Sequence, residues 1–413
     1  MTLDPNILNS LHHHTANLHP ELSLIRRALH QHPELSGEES WTSAFIAEKL
    51  EKLGLLVQTR AGGFGIIADW ITDPAKPTVA LRVDMDALPI SEINDVPYRS
   101  QVPGVMHACG HDVHSAVGFG TAAVLAELGK NLPGNIRFIF QPEEEEITGA
   151  LRMIRAGALI DPVPRAILGL HVAPLPVGKI AWTDNLFLAG FEHYLAKIIP
   201  GDKSAASSEK LDAVAKRCCQ VIKGFNRWTL PETWDEMQAM WKLMQSDDPD
   251  LQHFTIFDAS TDEEDLIAWR GQFGIGIKAA SHALRRAAIG RVKASLNTIT
   301  QANQTHYQLE PMGSMPDVRN HPELVQATLP ALRQVIGAPN AIQLKAAFPF
   351  NCEDFAYYTK SIPGAMYWVG AANPQKGQFA MLHTPNFDVD ETCLTTGVMA
   401  MSALLIGALQ QDF

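Results

Sequence analysis

The sequence predicts a layered α/β protein with a smaller α+β unit set into its middle. Three observations carry that reading. Short segments rich in β-branched and aromatic residues alternate with helix-period segments through the first part of the chain. From about residue 187 to about residue 309 the texture changes, and afterwards the first pattern resumes. The length, 413 residues, suits one large domain or two ordinary ones. The expected division is therefore a larger unit in two pieces, 1–186 and 310–413, with 187–309 inserted between them.

Taken in order, Leu22, Ile25 and Leu29, then Phe45, Ile46, Leu50 and Leu53, recur at helical spacing on either side of His32-Pro33. Two helices with a break at the proline follow. Beyond Gly54, strands are expected at 65–70, 78–83, 135–140 and 166–171. Ser115 to Leu128 is Ala-rich and apolar on most sides, as a buried helix is. In the middle segment, 192–199 and 254–258 read as strands and 210–225 and 279–304 as helices. Ser246 to Asp250 and the acidic Asp262 to Asp265 read as turns or solvated faces. A helix at 322–335, a strand at 365–369 and an apolar helix at 392–409 complete the larger unit. His12-His13-His14 reads as a solvated surface turn, and Trp228, Trp234, Trp241 and Trp269 as core residues of the small unit.

The composition, 46% hydrophobic and 19% charged, is that of a globular protein. No stretch offers the ~18 uninterrupted apolar residues of a membrane span, so a membrane partner is not expected. Lysine and arginine total 33 against 45 acids, a net charge of −12 without a local basic patch, which argues against nucleic acid as a partner. Five cysteines are too few for a disulfide framework, and the opening residues lack the basic and apolar regions of a secretory signal. A cytoplasmic location is expected.

Chemistry-bearing residues concentrate in a few segments. His107 to His114 holds three histidines, one cysteine and one aspartate, and Gly110 allows a turn that aims Cys109 and His111 at one point. A thiolate beside an imidazole suits a zinc-like ion. In Phe138 to Glu146 an apolar strand runs into four consecutive glutamates, an arrangement that is costly unless a cation or water neutralises it. Leu81 to Pro89 ends another apolar strand with Asp84 and Asp86. Asp84 is placed to accept the free ring N–H of a metal-bound histidine. His171 and His383 stand alone in their segments. Together these groups supply enough ligands for two metal ions sharing a bridging group, with one glutamate left over as a general base.

These segments resemble the aminoacylase/carboxypeptidase family of dinuclear metallohydrolases, in its branch of N-acyl-amino-acid amidohydrolases, hippurate hydrolases and plant auxin-conjugate hydrolases. The resemblance covers about residues 20–185 and 310–405. It rests on Arg27 to Leu35, Leu81 to Ile90, Gly104 to His114, Phe138 to Glu145, Gly169 to Pro174, Cys352 to Phe355 and Leu382-His383, which occur in the family's order. It implies a zinc-peptidase-like catalytic domain, a mixed sheet flanked by helices, carrying an inserted α+β domain of lid and dimerisation type. It also implies two divalent ions (Zn, Mn, Co or Ni) held by Cys109, His111, Glu145, His171 and His383. Gln141-Pro142 anchors the glutamates so that Glu144 becomes the catalytic base; Gly149-Ala150 supports that register, and Glu143 and Glu146 leave one a residue away open. Asp84, Asp112 and His114 would support the ligands from behind. Glu353-Asp354 matches a motif in which Cys352 replaces the usual serine.

The implied reaction is hydrolysis of small N-acyl amino acids or peptides. Glu144 would take a proton from metal-activated water and return it to the leaving amine. An apolar pocket would take the acyl group and a cationic group the free carboxylate. The middle of the chain departs from the family. A Gly-Gly-His-Ala-Ala element, whose histidine reaches into the partner subunit's site, is replaced by Pro200 to Ala206 with Ser204 near the histidine's place. Losing one such oxyanion donor costs about 10²–10³ in rate. His253, His282 and His306 are candidate substitutes, and the usual homodimer is put in question. A catalytically impaired relative that binds an acylated metabolite or a protein partner is the competing expectation. A zinc-stabilised structural protein fits less well, because the ligands span the chain.

Overall fold

A computed structural model describes residues 2–201, 207–261, 271–411 and 413. The chain opens with α1 (Pro5–Gln31), α2 (Ser40–Lys52), β1 (Leu56–Ala61), β2 (Gly65–Trp70) and β3 (Thr78–Asp84). Then come α3 (His111–Leu128), β4 (Asn135–Gln141), α4 (Gly149–Arg155), β5 (Pro164–Pro176), β6 (Ile180–Thr183) and β7 (Leu186–Leu188). The middle contributes β8 (Gly190–Pro200), α5 (Ser208–Lys223), α6 (Trp234–Met244), α7 (Pro249–Gln252), β9 (Thr255–Ser260), β10 (Gln272–Ala279), α8 (His282–Ala302) and β11 (Thr305–Met315). The last stretch carries β12 (Val318–Arg319), α9 (Pro322–Ile336), β13 (Ala341–Leu344), α10 (Ala356–Thr359), β14 (Gly364–Ala372) and α11 (Thr392–Gln410).

Eight strands form one mixed sheet in the order β1-β2-β4-β3-β5-β14-β6-β13. Its centre, β4-β3-β5-β14, is parallel, and every residue of β3 and β4 is buried. Strands covered on both faces read as continuous apolar runs, which is why the sequence shows them without alternation. Helices α1, α3, α9 and α11 pack together over one face. Helix α11 is long and apolar enough to cross a membrane by length and composition, but here it is a core helix, buried along almost its whole length. The second sheet is antiparallel, in the order β11-β8-β10-β9, and α5 and α8 cover it. The chain leaves the large sheet at β7 and returns at β12, and these two strands pair with each other.

Three local expectations change. Helix α1 starts at Pro5, capped by the Asp4 side chain on the Asn6 N–H, so His12, His13 and His14 ride on a helix and not on a turn. Burial of Leu3, Leu11 and Thr15 draws those first turns onto the core. Strand β5 continues through His171 to Pro176, because β14 pairs along it with Trp368 opposite His171. Among the described residues, Trp228, Trp234 and Trp241 take no part in the core that α5 and α8 form with the small sheet. Trp241 joins Met237, Met240 and Met244 in the core on the second face of the large sheet, and its Nε1 donates to Pro174 O at 3.0 Å. Trp234 packs against the core over the first face of the large sheet, and Trp228 against the core on its second face and a small cluster around Phe254 and Ala280 at the edge of the small sheet. The small sheet is already covered by α5 and α8, so the apolar face of α6 finds its partner elsewhere. Trp269, and the acidic run from Asp262 to Asp265, lie outside the described residues.

Candidate metal centre

The chemistry-bearing residues converge at the carboxyl ends of the central parallel strands, where ligand sites form in α/β sheets. Asp84 ends β3, Glu144 and Glu145 follow β4, and His171 lies in β5. Cys109 and His111 flank Gly110, whose left-handed backbone (φ 84°) starts α3. His383, half exposed, reaches the cluster from the loop before α11. Cys109 Sγ lies 3.4 Å from His171 Nε2 and 3.3 Å from His383 Nε2. His111 Nε2 lies 3.8 Å from Glu145 Oε1 and 3.9 Å from Glu144 Oε2, and His383 Nε2 lies 3.5 Å from Glu145 Oε1. Among the ligand groups that result are Cys109-His111-His171 and Cys109-Glu145-His383, which share Cys109, and His111-Glu144-Glu145.

The surroundings fix which atoms point inward. His171 Nδ1 donates to Val172 O at 2.7 Å, which leaves the Nε2 lone pair facing Cys109. His111 Nδ1 meets Asp86 Oδ1 at 3.1 Å, so its Nε2 is likewise presented to the cluster. His114 is different. Its Nδ1 donates to Asp84 Oδ1 at 2.5 Å and its Nε2 accepts the Val172 N–H at 2.8 Å, so both ring nitrogens are engaged and it acts as a brace. Asp112 faces away, toward Arg26 Nε at 2.8 Å and His30 Nδ1 at 2.7 Å, tying α3 to α1.

Four groups were given no part in the site from the sequence. Asp86 is the first of them; besides holding His111, its Oδ2 accepts the Glu145 N–H at 2.9 Å and the Ser36 hydroxyl at 2.7 Å. Its position two residues beyond Asp84, on the same side of extended chain, was the available signal. The others are Arg82, Gln141 and Asp354. The buried Arg82 guanidinium contacts Asp84 at 2.6 Å, Gln141 at 2.9 Å, Asp354 at 3.0 Å and Glu353 at 3.1 Å.

Among the four glutamates, Glu144 and Glu145 face the cluster. Glu143 turns away on a left-handed backbone (φ 56°), held by Arg152 and Thr148 at 2.7 Å each, and Glu146 is exposed. Burial, with Glu353 and Glu145 nearby, pushes the Glu144 carboxyl well above the usual carboxylate range, and Arg82 only partly opposes this. Burial, reinforced by Glu353 against the pull of Arg82, raises Asp354 to about 8. Burial, with Glu145, Glu144 and Asp84 nearby, pushes the Cys109 thiol up as well. So much acid around one arginine calls for positive charge. His111 Nε2 and Glu145 Oε1 are buried without a hydrogen-bond partner, too far apart to bond each other. A donor set of thiol, imidazole and carboxylate with orphaned atoms at its centre fits divalent cations.

A cavity of about 640 Å³ opens from the cluster. Trp368, Phe348, Phe350, Met237 and Trp241 give it an apolar wall, and Lys278 is the lysine or arginine among its described lining residues. His253, His282 and His306 do not line it, and Ser204 lies outside the described residues.

Residues 80–406 match the peptidase family M20/M25/M40. This chain belongs to that family. Its M20 relatives include a probable hydrolase of Synechocystis, 33% identical over 93% of this chain and 94% of that one. An IAA-amino acid hydrolase of Arabidopsis thaliana is 31% identical over 94% and 85%. N-acetylcysteine deacetylase of Bacillus subtilis is 30% identical over 95% and 98%. Among solved structures, the Bacillus subtilis YXEP protein, a dinuclear metal-binding peptidase of the M20 family, superposes with a TM-score of 0.74 at 26% identity, covering 96% of this chain and 99% of that one. The M20 protein described here is a metal-dependent amidohydrolase with the donor groups of a two-metal centre.

Proposed function

We propose that this amidohydrolase cleaves the amide bond of small N-acyl amino acids or related peptides, with Glu144 as general base. The observation that carries the reading is the position of Glu144. It stands beside the ligand cluster, at the floor of a cavity that has an apolar wall and a lysine. Cys109, His111, Glu145, His171 and His383 would hold two divalent ions. When bound, such ions polarise the scissile carbonyl and lower the pKa of water. Glu144 takes the proton of the attacking water and delivers it to the leaving nitrogen. Lys278 supplies the positive charge for the free carboxylate of the amino acid, and the aromatic wall takes the acyl group. A cytoplasmic site of action suits a thiol ligand, which needs a reducing compartment.

The test combines metal analysis with turnover. Metal-loaded wild-type protein is expected to bind two ions per chain and to hydrolyse members of an N-acyl amino acid panel. Glu144→Gln is expected to keep the metal while kcat falls by about 10²–10⁴. Metal-loaded wild type that binds the panel but turns over none of it would sink this reading in favour of an impaired binding protein. The motive for that alternative is that none of His253, His282 and His306 reaches the cavity.

A further inference from the structure

We infer that helix α6 and the loop before it are the specificity wall of the cavity, and that they select substrates carrying a bulky apolar acyl group. The inference rests on the proposed N-acyl amino acid reading and adds the element that chooses among acyl groups.

Helix α6 belongs by sequence to the inserted segment, yet it is fastened to the catalytic sheet. Trp241 Nε1 and Gln238 Nε2 both donate to Pro174 O, at 3.0 and 3.4 Å, next to the end of β5 that carries His171. At its other end, Met244 O accepts the N–H groups of Lys345 and Ala346 at 2.8 and 3.2 Å, and Lys345 pairs with Asp247. A capping box, with Thr233 and Glu236 bonded reciprocally, fixes where the helix begins. An element tied at both ends presents a fixed face, and that face puts Met237 and Trp241 into the cavity.

The surface they complete is continuous. The Trp241 ring lies 6.1 Å from both Phe348 and Trp368, and Trp368 lies 5.6 Å from the His171 imidazole. Aromatic area therefore runs from a candidate ligand out to α6. The polar fixture lies on another element: Lys278, on β10, donates to Phe350 O at 2.5 Å. A substrate with its carboxylate toward Lys278 and its amide at the cluster lays its acyl group along the Trp368–Trp241 surface. An acetyl group would reach little of that wall, whereas each further methylene buried against it adds about three- to fourfold in binding.

The test uses full-length metal-loaded protein and one amino acid acylated with acetyl, butanoyl, hexanoyl, octanoyl or benzoyl groups. Wild type is expected to favour the larger acyl groups over acetyl by about tenfold or more in kcat/KM. Trp241→Ala is expected to lose most of that preference through KM, with Trp241→Phe intermediate. Met237→Trp, which fills the cavity from the same helix, is expected to shift preference toward acetyl, and it carries the test if Trp241→Ala does not fold. Unchanged acyl preference in Trp241→Ala or in Met237→Trp would overturn the inference while leaving the amidohydrolase reading intact. Calorimetric binding of the same series to Glu144→Gln separates the two claims further. Size-dependent binding that the α6 substitutions reduce supports the wall even without turnover, and binding indifferent to acyl size overturns it.

Discussion

Asp86 shows how one side chain can carry two functional residues. One of its oxygens orients His111 and the other receives the backbone N–H of Glu145, so the carboxylate sets the distance between two candidate ligands on different elements. Burial alone would raise Asp86, but hydrogen bonds from His111, Glu145 and Ser36 hold it below its ordinary value and keep it ionised. Asp86→Ala is expected to lower metal affinity by about 10–100-fold, measured by competition with a chromophoric chelator. Affinity within twofold of wild type would mean that His111 is oriented by packing alone. At this scale the sequence displayed the donors plainly, since Cys109 and His111 are near neighbours. It did not display that His111 would meet Asp86 while Asp84 met His114, because two carboxylates two residues apart look equivalent until the α3 turn is placed over them.

Helix α3 begins at His111 because Gly110 takes a backbone that other residues resist, and that start sends Cys109 and His111 into the same space. A Cβ at Gly110 would stand 2.4 Å from Val172 Cγ2, on the strand that carries His171. Gly110→Ala is therefore expected to cost about 1–3 kcal/mol in chemical denaturation and to reduce bound metal, since strain and clash fall between three candidate ligands. A stable variant with full metal content would show that the turn has room to shift. Helix α6 teaches a different lesson. Met237, Met240, Trp241 and Met244 follow helical spacing, a signal passed over in reading the middle segment, and the partner of that face has no local signal at all. Eleven residues make a marginal helix alone. Burying four large side chains at about 1.5–3 kcal/mol each outweighs that, and the docked position follows from whichever apolar surface is free.

At the scale of the whole molecule, the described residues form two larger sheets and, where the chain passes between them, the two-stranded pair of β7 and β12, beside which Asp317 gathers the neighbouring charges. Asp317 accepts from Arg285 on α8 at 2.6 Å, from the Gly190 N–H at 2.7 Å and from Arg319 at 2.9 Å. Burial would raise its carboxyl, but these donors hold it below the usual range. A carboxylate lowered in the folded state contributes stability above its unfolded value, about 3.9, and loses it as pH falls through the folded value. Asp317→Asn is expected to destabilise by about 1–2 kcal/mol at pH 7, at the low end for a charged hydrogen bond because solvent reaches part of the group. The difference from wild type, read by denaturant titration, should shrink below about pH 4. A gap that persists at pH 3 would show that geometry, and not charge, holds the junction.

The sequence by itself determined the layered fold, the change of texture in its middle and the short segments in which metal-ligating residue types crowd. Each is written locally: buried parallel strands as apolar runs, helices as period, and metal chemistry as residue types crowded into short segments. Only the tertiary structure decided which two of four glutamates face the cluster, that Asp86 serves both His111 and Glu145, and that Lys278 and helix α6 share one cavity with them. Those relations join residues far apart along the chain. Period and propensity say that a face must be buried or a charge met, but the partner is fixed only when sheets and helices have packed.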